Sequence, residues 1–84
     1  MTSSKASGYV DIMEMLGQIE SDYGVPKNIK EKIKKTIGIL GAEIDADVKI
    51  SRAMDELDAI SDDINIPTYT RTQIWHIVSL LESK

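Results

Sequence analysis

The amino-acid sequence predicts an all-α protein, a four-helix up-and-down antiparallel bundle built from two repeated helical hairpins. No stretch alternates polar and apolar residues with the period of two that half-buried strands show. Apolar residues instead recur three and four positions apart in four stretches, three of which are followed by a glycine or an asparagine. The third observation is a repeat, because the similar segments 21–29 and 62–70 hold their prolines 41 residues apart.

The repeat predicts two equivalent turns. Each copy has a residue able to adopt left-handed dihedrals, Gly24 or Asn65, then an aliphatic residue, then Pro26 or Pro67. This order is typical of a helix end followed directly by a new helix start. The same offset pairs Met13 with Met54, Leu16 with Leu57, Ile33 with Ile74, Ile37 with Val78 and Leu40 with Leu81. A solenoid needs about three repeats, so two hairpins predict a closed bundle. The alternative is coincidence, since any two amphipathic hairpins share a periodic register.

The first hairpin is predicted to begin near Gly8, since residues 1–7 are small and polar and indicate a disordered tail, leaving 8–84 as one domain. Helix 1 carries its apolar stripe to about Tyr23. Helix 2 starts at or just after Pro26, because proline fits the first helical turn. Gly41 is its predicted end, and Asp45 can cap the next helix. The two stripes are Tyr9, Ile12, Met13, Leu16, Ile19 and Tyr23, then Ile29, Ile33, Ile37 and Leu40.

The second hairpin is predicted to hold helices 3 and 4 on either side of the Asn65 turn. Helix 3 presents Ile50, Ala53, Met54, Leu57, Ile60 and Ile64 on one face. Helix 4 is expected to begin near Thr70, because Thr70 and Gln73 match a capping box and Tyr69 can pack on Ile74. Its core face is Ile74, Ile77, Val78 and Leu81. Four helices of about 14–18 residues match well enough in length for a bundle with short loops.

Composition excludes several classes of protein. The sequence holds no cysteine, which removes disulfides, thiol chemistry and iron–sulfur clusters. No apolar run approaches the roughly 18 residues of a membrane span, and the first residues lack the apolar stretch of a signal peptide. We therefore expect a cytoplasmic protein with no membrane contact. The net charge of −4 argues against bulk affinity for nucleic acid.

Catalytic and metal-binding patterns are also lacking. His76 is the one histidine and lies on the outer face of helix 4. A di-iron bundle needs Glu-x-x-His on two helices, whereas this chain has Gln73-x-x-His76 once. The carboxylates of helix 3 lack the loop spacing of a calcium site and indicate a solvated acidic face. The sequence predicts no enzyme, no catalytic residue, no cofactor and no metal.

Charge is divided between helices 2 and 3. Residues 27–35 carry a local charge of +4, whereas residues 43–63 sum to −6. Lys27, Lys30 and Lys34 form one stripe, and Asp55, Asp58 and Asp62 form another. Depending on the handedness of the bundle, the two stripes meet between helices 2 and 3 or both point away from that seam. If they meet, the lysines are internal partners; if they point away, helix 2 offers a basic strip to phosphates or to an acidic protein.

The core stripe of helix 4 leaves three bulky residues unexplained. Trp75 lies on one shoulder of the helix, and Leu80 lies near His76 on the other side. Single exposed apolar residues are normal, so the solvated alternative stays open. Interfaces are nevertheless enriched in tryptophan, which makes Trp75, His76 and Leu80 the candidate protein contact.

The assembled motifs are Leu16-Gly-x-Ile19, Gly24-Val-Pro-x-Asn-Ile29, Asn65-Ile-Pro67, Arg71-Thr-x-Ile-Trp75 and Val78-Ser-x-Leu-Glu82. With them the chain resembles, from about Tyr9 to Glu82, a family of small archaeal proteins classified only as an uncharacterised protein family. The resemblance implies an all-helical up-and-down bundle and brings no known activity, cofactor or catalytic residue.

The sequence supports two hypotheses about function, which belong to different classes. The first is a non-enzymatic interaction module that forms a homodimer or docks another protein. The second is a nucleic-acid accessory protein that uses Lys27, Lys30, Lys34 and Arg71, the last of which the repeat aligns with Lys30. A salt titration separates them, because phosphate contacts give a steep salt dependence and apolar docking does not.

Overall fold

A computed structural model describes residues 9–83, and in that range it contains four α-helices and no strand. They are α1 (Val10–Glu20), α2 (Lys27–Gly41), α3 (Ala46–Ser61) and α4 (Thr68–Glu82). The predicted tail, residues 1–7, lies outside the described residues. Each helix packs on two others in a ring, α1 on α2 and α4, and α3 on α2 and α4. Because short turns join consecutive helices, the ring is the predicted up-and-down bundle.

The two hairpins are repeated in the core. Every buried side chain of residues 9–83 has a buried partner 41 positions away. The pairs are Ile12 and Ala53, Leu16 and Leu57, Ile19 and Ile60, Val25 and Ile66, Ile29 and Thr70, Ile33 and Ile74, Thr36 and Ile77, and Leu40 and Leu81. The pairing includes both buried threonines, so equivalent positions are buried whether or not they are apolar. Hence one hairpin geometry, used twice, forms the core.

The first turn is built differently from its prediction. α1 ends at Glu20, three residues before Tyr23, and Gly24 does not adopt a left-handed φ. Asp22 organises the turn instead, since its Oδ1 accepts the Gly24 N–H at 2.8 Å and its carbonyl accepts the Val25 N–H at 3.2 Å. Asp63 repeats the first of these bonds with the Asn65 N–H at 2.8 Å. An aspartate bonding a backbone N–H two residues on is a known turn device, and it replaces the expected glycine stop.

The starts of α2 and α4 follow the two prolines directly. Pro26 and Pro67 are the N-cap residues, and the carbonyl of each accepts two backbone N–H groups of the following turn. α4 therefore begins at Thr68, two residues before the predicted start. The prediction of a capping box formed by Thr70 and Gln73 was wrong, because Thr70 is buried and no side chain caps the helix. Asp45 takes the N-cap position of α3 as predicted, also without a side-chain cap bond.

Two residues assigned to core stripes are not in the core. Tyr23 is 99% exposed and Ile64 is 89% exposed. Both follow the last turn of their helix, where the chain has already left the helical path. Periodicity counts such residues as part of the stripe because it extends the 100° step past the true helix end.

Candidate functional site

The described residues hold no cluster suited to metal chemistry. Within 9–83 no three of the histidine, aspartate and glutamate side chains come together in a group that could hold an ion. None of the four helices is long and apolar enough to cross a bilayer. Neither observation decides whether the protein is an enzyme or where it resides, so both expectations stay predictions.

Trp75 and His76 stand on the outer side of α4, and Leu80 is partly sheltered. The Trp75 side chain is 57% exposed, and His76 is exposed as well. Leu80 is half-buried and packs on the core cluster, as does Ile39, its counterpart in the repeat. Packing against the core therefore explains most of the reason for an apolar side chain at Leu80. It does not account for Trp75, whose counterpart in α2 is the exposed Lys34.

Hydrogen bonds fix which way each flank of α4 faces. The Arg71 guanidinium donates through Nε to the Ser61 carbonyl and through Nη2 to the Asp63 carbonyl, each at 3.0 Å. Trp75 lies one helical turn beyond Arg71 and so shares the flank toward α3. Tyr69 O–H donates to Asp22 at the α1–α2 turn, and His76 follows Tyr69 by two turns on that other flank. Trp75 and His76 thus border the outermost strip of α4 on opposite sides.

The lysine stripe of α2 faces away from α3. Lys34 Nζ lies 3.5 Å from Glu20 Oε2 of α1, whereas the neighbouring Lys35 Nζ lies 3.1 Å from Glu56 Oε2 of α3. Of the two open alternatives, the lysines therefore point away from the seam between α2 and α3. These two contacts are the ion pairs found within residues 9–83. Neither contains a carboxylate of the acidic stripe, Asp55, Asp58 and Asp62.

The four basic residues of the nucleic-acid hypothesis do not form one surface. Arg71 is on α4, diagonally across the bundle from α2, and its guanidinium is bonded to backbone carbonyls. Lys34 is paired with Glu20. Lys27 is exposed, and Lys30 Nζ lies 5.7 Å from the ring centroid of Tyr23. The remaining basic surface is thus Lys27 and Lys30 beside an exposed aromatic ring.

Asp22 and Tyr69 link the two hairpins at one end of the bundle. Tyr69 O–H donates to Asp22 Oδ2 at 2.9 Å, while Asp22 Oδ1 accepts the Gly24 N–H. The Gly24 N–H, followed by the Tyr69 hydroxyl, lowers the pKa of Asp22, and the same bond to Asp22 raises the pKa of Tyr69. Sequence reasoning missed this contact, because 47 residues separate the partners and neither belongs to a periodic stripe.

A shallow apolar groove lies at the opposite end of the bundle. It measures about 620 Å³ and is lined mainly by Tyr9, Val10, Met13, Leu40 and Ile44. Lys49 also lines it, with Nζ 5.1 Å from the ring centroid of Tyr9. Val10 and Ile44 are 48% and 41% exposed, so this end is less completely covered than the middle of the bundle.

Comparison with known proteins identifies relatives over nearly the whole chain. The family model that matches residues 2–83 is described as "Uncharacterised protein family (UPF0147)". A UPF0147 protein of Methanocaldococcus jannaschii is 46% identical over 71 residues, which cover 81% of this chain and 74% of the relative. A UPF0147 protein of Methanothermobacter thermautotrophicus is 40% identical over 73 residues, covering 86% and 72%.

Two solved structures share the fold. The crystal structure of a protein described only as being of unknown function superposes with a TM-score of 0.89 at 39% identity. The match covers 100% of this chain and 97% of the chain in that structure. The crystal structure of a UPF0147 protein from Thermoplasma acidophilum gives 0.84 at 27% identity, with 92% of each chain covered. The resemblance inferred from the sequence motifs and the four-helix fold are both confirmed.

Proposed function

The chain belongs to the UPF0147 family, and from that premise we propose that it is a non-enzymatic interaction module that docks another protein through the outer side of α4. The observation that carries the proposal is Trp75, 57% exposed on a helix whose core stripe is complete without it. Removing a large indole from water is strongly favourable, which is why tryptophan is enriched among the residues that dominate binding energy.

Comparison of the repeats supports a binding use for Trp75. The same position of the first hairpin holds Lys34, whose charged end reaches Glu20 in solvent. The fold therefore accepts a hydrophilic side chain there, and packing gives no reason for an indole. His76 is exposed across the outermost strip of α4, and the half-buried Leu80 lies beyond His76 toward the core on that same flank. Together the three residues give a contact that spans the outer side of α4, with the indole on one flank and the imidazole and the leucine side chain on the other.

The substitution Trp75→Lys tests this surface, because the repeat shows that lysine fits the position. We expect unchanged thermal stability and loss of a partner that the wild-type protein retains from native lysate. Val48→Lys is the matched control, since Val48 is 42% exposed at the start of α3 and should leave capture unchanged. Partner capture that survives Trp75→Lys would contradict the proposal.

Nucleic-acid binding is a second candidate, favoured by the exposed Tyr23 ring beside Lys30 and Lys27. Bases stack on such rings, and lysines contact the neighbouring phosphates. The test is a salt titration of binding to mixed RNA with the wild-type protein and Lys27→Glu. A steep salt dependence that Lys27→Glu reduces would favour this function over protein docking.

A further inference from the structure

Both hairpins hold an apolar side chain in water at the same end of the bundle. Tyr23 and Ile64 occupy equivalent positions in the two turns, 41 residues apart, and are 99% and 89% exposed. The bond from Tyr69 O–H to Asp22 brings the two turns together at one end. A turn tip in solvent requires no apolar residue, so the packing of the bundle explains neither side chain.

The uncommitted charges beside these tips have opposite signs. Several charged groups at this end are already engaged, since Asp22 and Asp63 accept turn N–H groups and Glu20 pairs with Lys34. Lys27 follows the Tyr23 turn and is exposed. Asp58 and Asp62 precede Ile64, are exposed and take no part in the two ion pairs of residues 9–83. The end therefore has a basic half next to Tyr23 and an acidic half next to Ile64.

We propose that this end binds a second copy of the chain, with Tyr23 of each copy against the partner's Ile64. A two-fold axis perpendicular to the bundle axis allows two arrangements. It can set each turn against the same turn of the partner (like turns), or the Tyr23 turn against the partner's Ile64 turn (unlike turns). Like turns would set Lys27 against a second lysine, whereas unlike turns set Lys27 near the partner's Asp62, and the arrangement occurs twice by symmetry. Charge complementarity thus selects the unlike arrangement.

The size of the end limits the strength of this contact. The two shorter dimensions of the molecule are 21 and 19 Å, which give a cross-section of about 400 Å² per copy. Stable dimers bury about 800 Å² per partner. The dimer is therefore weak and reversible, and salt weakens it further because its charges are exposed. It leaves the outer side of α4 free, so it does not depend on the function proposed for Trp75.

Sedimentation velocity across a wide concentration range, at low and at high salt, tests the dimer. We expect the mass to rise toward two chains at high concentration and low salt, and to fall back when salt is added. Tyr23→Ser should raise the dissociation constant about tenfold, a change of about 1.4 kcal/mol. Val48→Ser removes an exposed apolar side chain at the start of α3 and should leave the constant unchanged.

Charge reversal tests the pairing itself. Lys27→Glu and Asp62→Lys should each weaken the dimer, and the two together should restore it because the charges become complementary again. All of these positions are exposed, so thermal unfolding should show intact folding. A monomer at every concentration overturns the proposal, and so does a dimer that Trp75→Lys abolishes while Tyr23→Ser leaves it unchanged. A monomer whose RNA binding Tyr23→Ser weakens would assign the tips to nucleic acid and likewise overturn it.

Discussion

A side chain at position 24 would collide with Tyr69. An ideal Cβ built on Gly24 lies 2.9 Å from Tyr69 Oη and 3.3 Å from Asp22 Oδ1. The glycine therefore leaves room for the Tyr69 hydroxyl to reach Asp22, whereas a Cβ would push the end of that side chain away. Sequence reasoning singled out Gly24 but assigned it a left-handed φ, because a glycine after an apolar stripe most often ends a helix in that way. The true reason depends on a residue of α4 and has no local pattern.

Gly24→Ala should lower the free energy of unfolding, because the added methyl group displaces the Tyr69 hydroxyl from Asp22. In a Tyr69→Phe background the same substitution should cost about half as much or less, since the colliding oxygen is gone. Chemical denaturation of the four proteins gives the comparison. Asn65→Ala is the matched control at the second turn, where a Cβ is already present. Equal losses in both backgrounds would show that Tyr69 is not what requires the glycine.

The bond between Asp22 and Tyr69 should stabilise the fold only in a limited pH range. The Gly24 N–H and then the Tyr69 hydroxyl lower the folded-state pKa of Asp22 from 3.8, so their stabilisation is present above that value and is lost as the pH falls through the folded pKa. The pKa of Tyr69 is raised from 10.0, so its stabilisation is present below pH 10.0 and is lost as the pH rises through the folded pKa.

The difference in unfolding free energy between wild type and Tyr69→Phe measures this effect. We expect it to be constant between about pH 5 and 9 and to shrink toward both extremes. Tyr23→Phe, at an exposed tyrosine with no such bond, controls for general alkaline effects. A difference that does not change with pH would show that the bond contributes nothing.

At the scale of the helices, ends were harder to predict than interiors. The interior stripes Ile12 to Ile19 and Ile74 to Leu81 lie in the core as their 3.6-residue period requires. The end of α1 and the start of α4 each differ from prediction, because the aspartate turns and the proline caps set them. The sequence did contain a signal for these turns, because an aspartate stands two residues before Gly24 and two residues before Asn65.

Thr70 in the first turn of α4 should be replaceable with a gain in stability. Its Oγ1 is buried with no hydrogen-bond partner among the described residues, whereas buried Thr36 donates its hydroxyl to the Lys32 carbonyl at 2.9 Å. Thr70→Val should raise the free energy of unfolding by about 1 kcal/mol, since it removes an unsatisfied polar group. Thr36→Val should gain less, because it also removes a hydrogen bond. Thermal or denaturant unfolding of both variants decides, and a loss for Thr70→Val would contradict the assignment.

At the scale of the whole molecule, the fold followed from the sequence and the candidate site followed only in part. The 41-residue repeat predicted which side chains share the core, because a duplicated hairpin buries the same positions twice. Trp75 was found as a residue left over from a stripe, and the structure places it in solvent. Tyr23 and Ile64 were wrongly assigned to the core, because they sit just past helix ends, where periodicity no longer applies. The engagement of Arg71 was also beyond prediction, since it depends on the path of the α3–α4 turn.

Fluorescence of the single tryptophan tests the central claim most directly, namely that α4 presents a protein contact. Because the sequence contains one Trp, all indole emission comes from Trp75. The account predicts water-like emission and ready quenching by iodide in the free protein, then a blue shift and protection when the captured partner is added. Emission that is already blue-shifted and protected in the monomer, or that does not change with a bound partner, would contradict it.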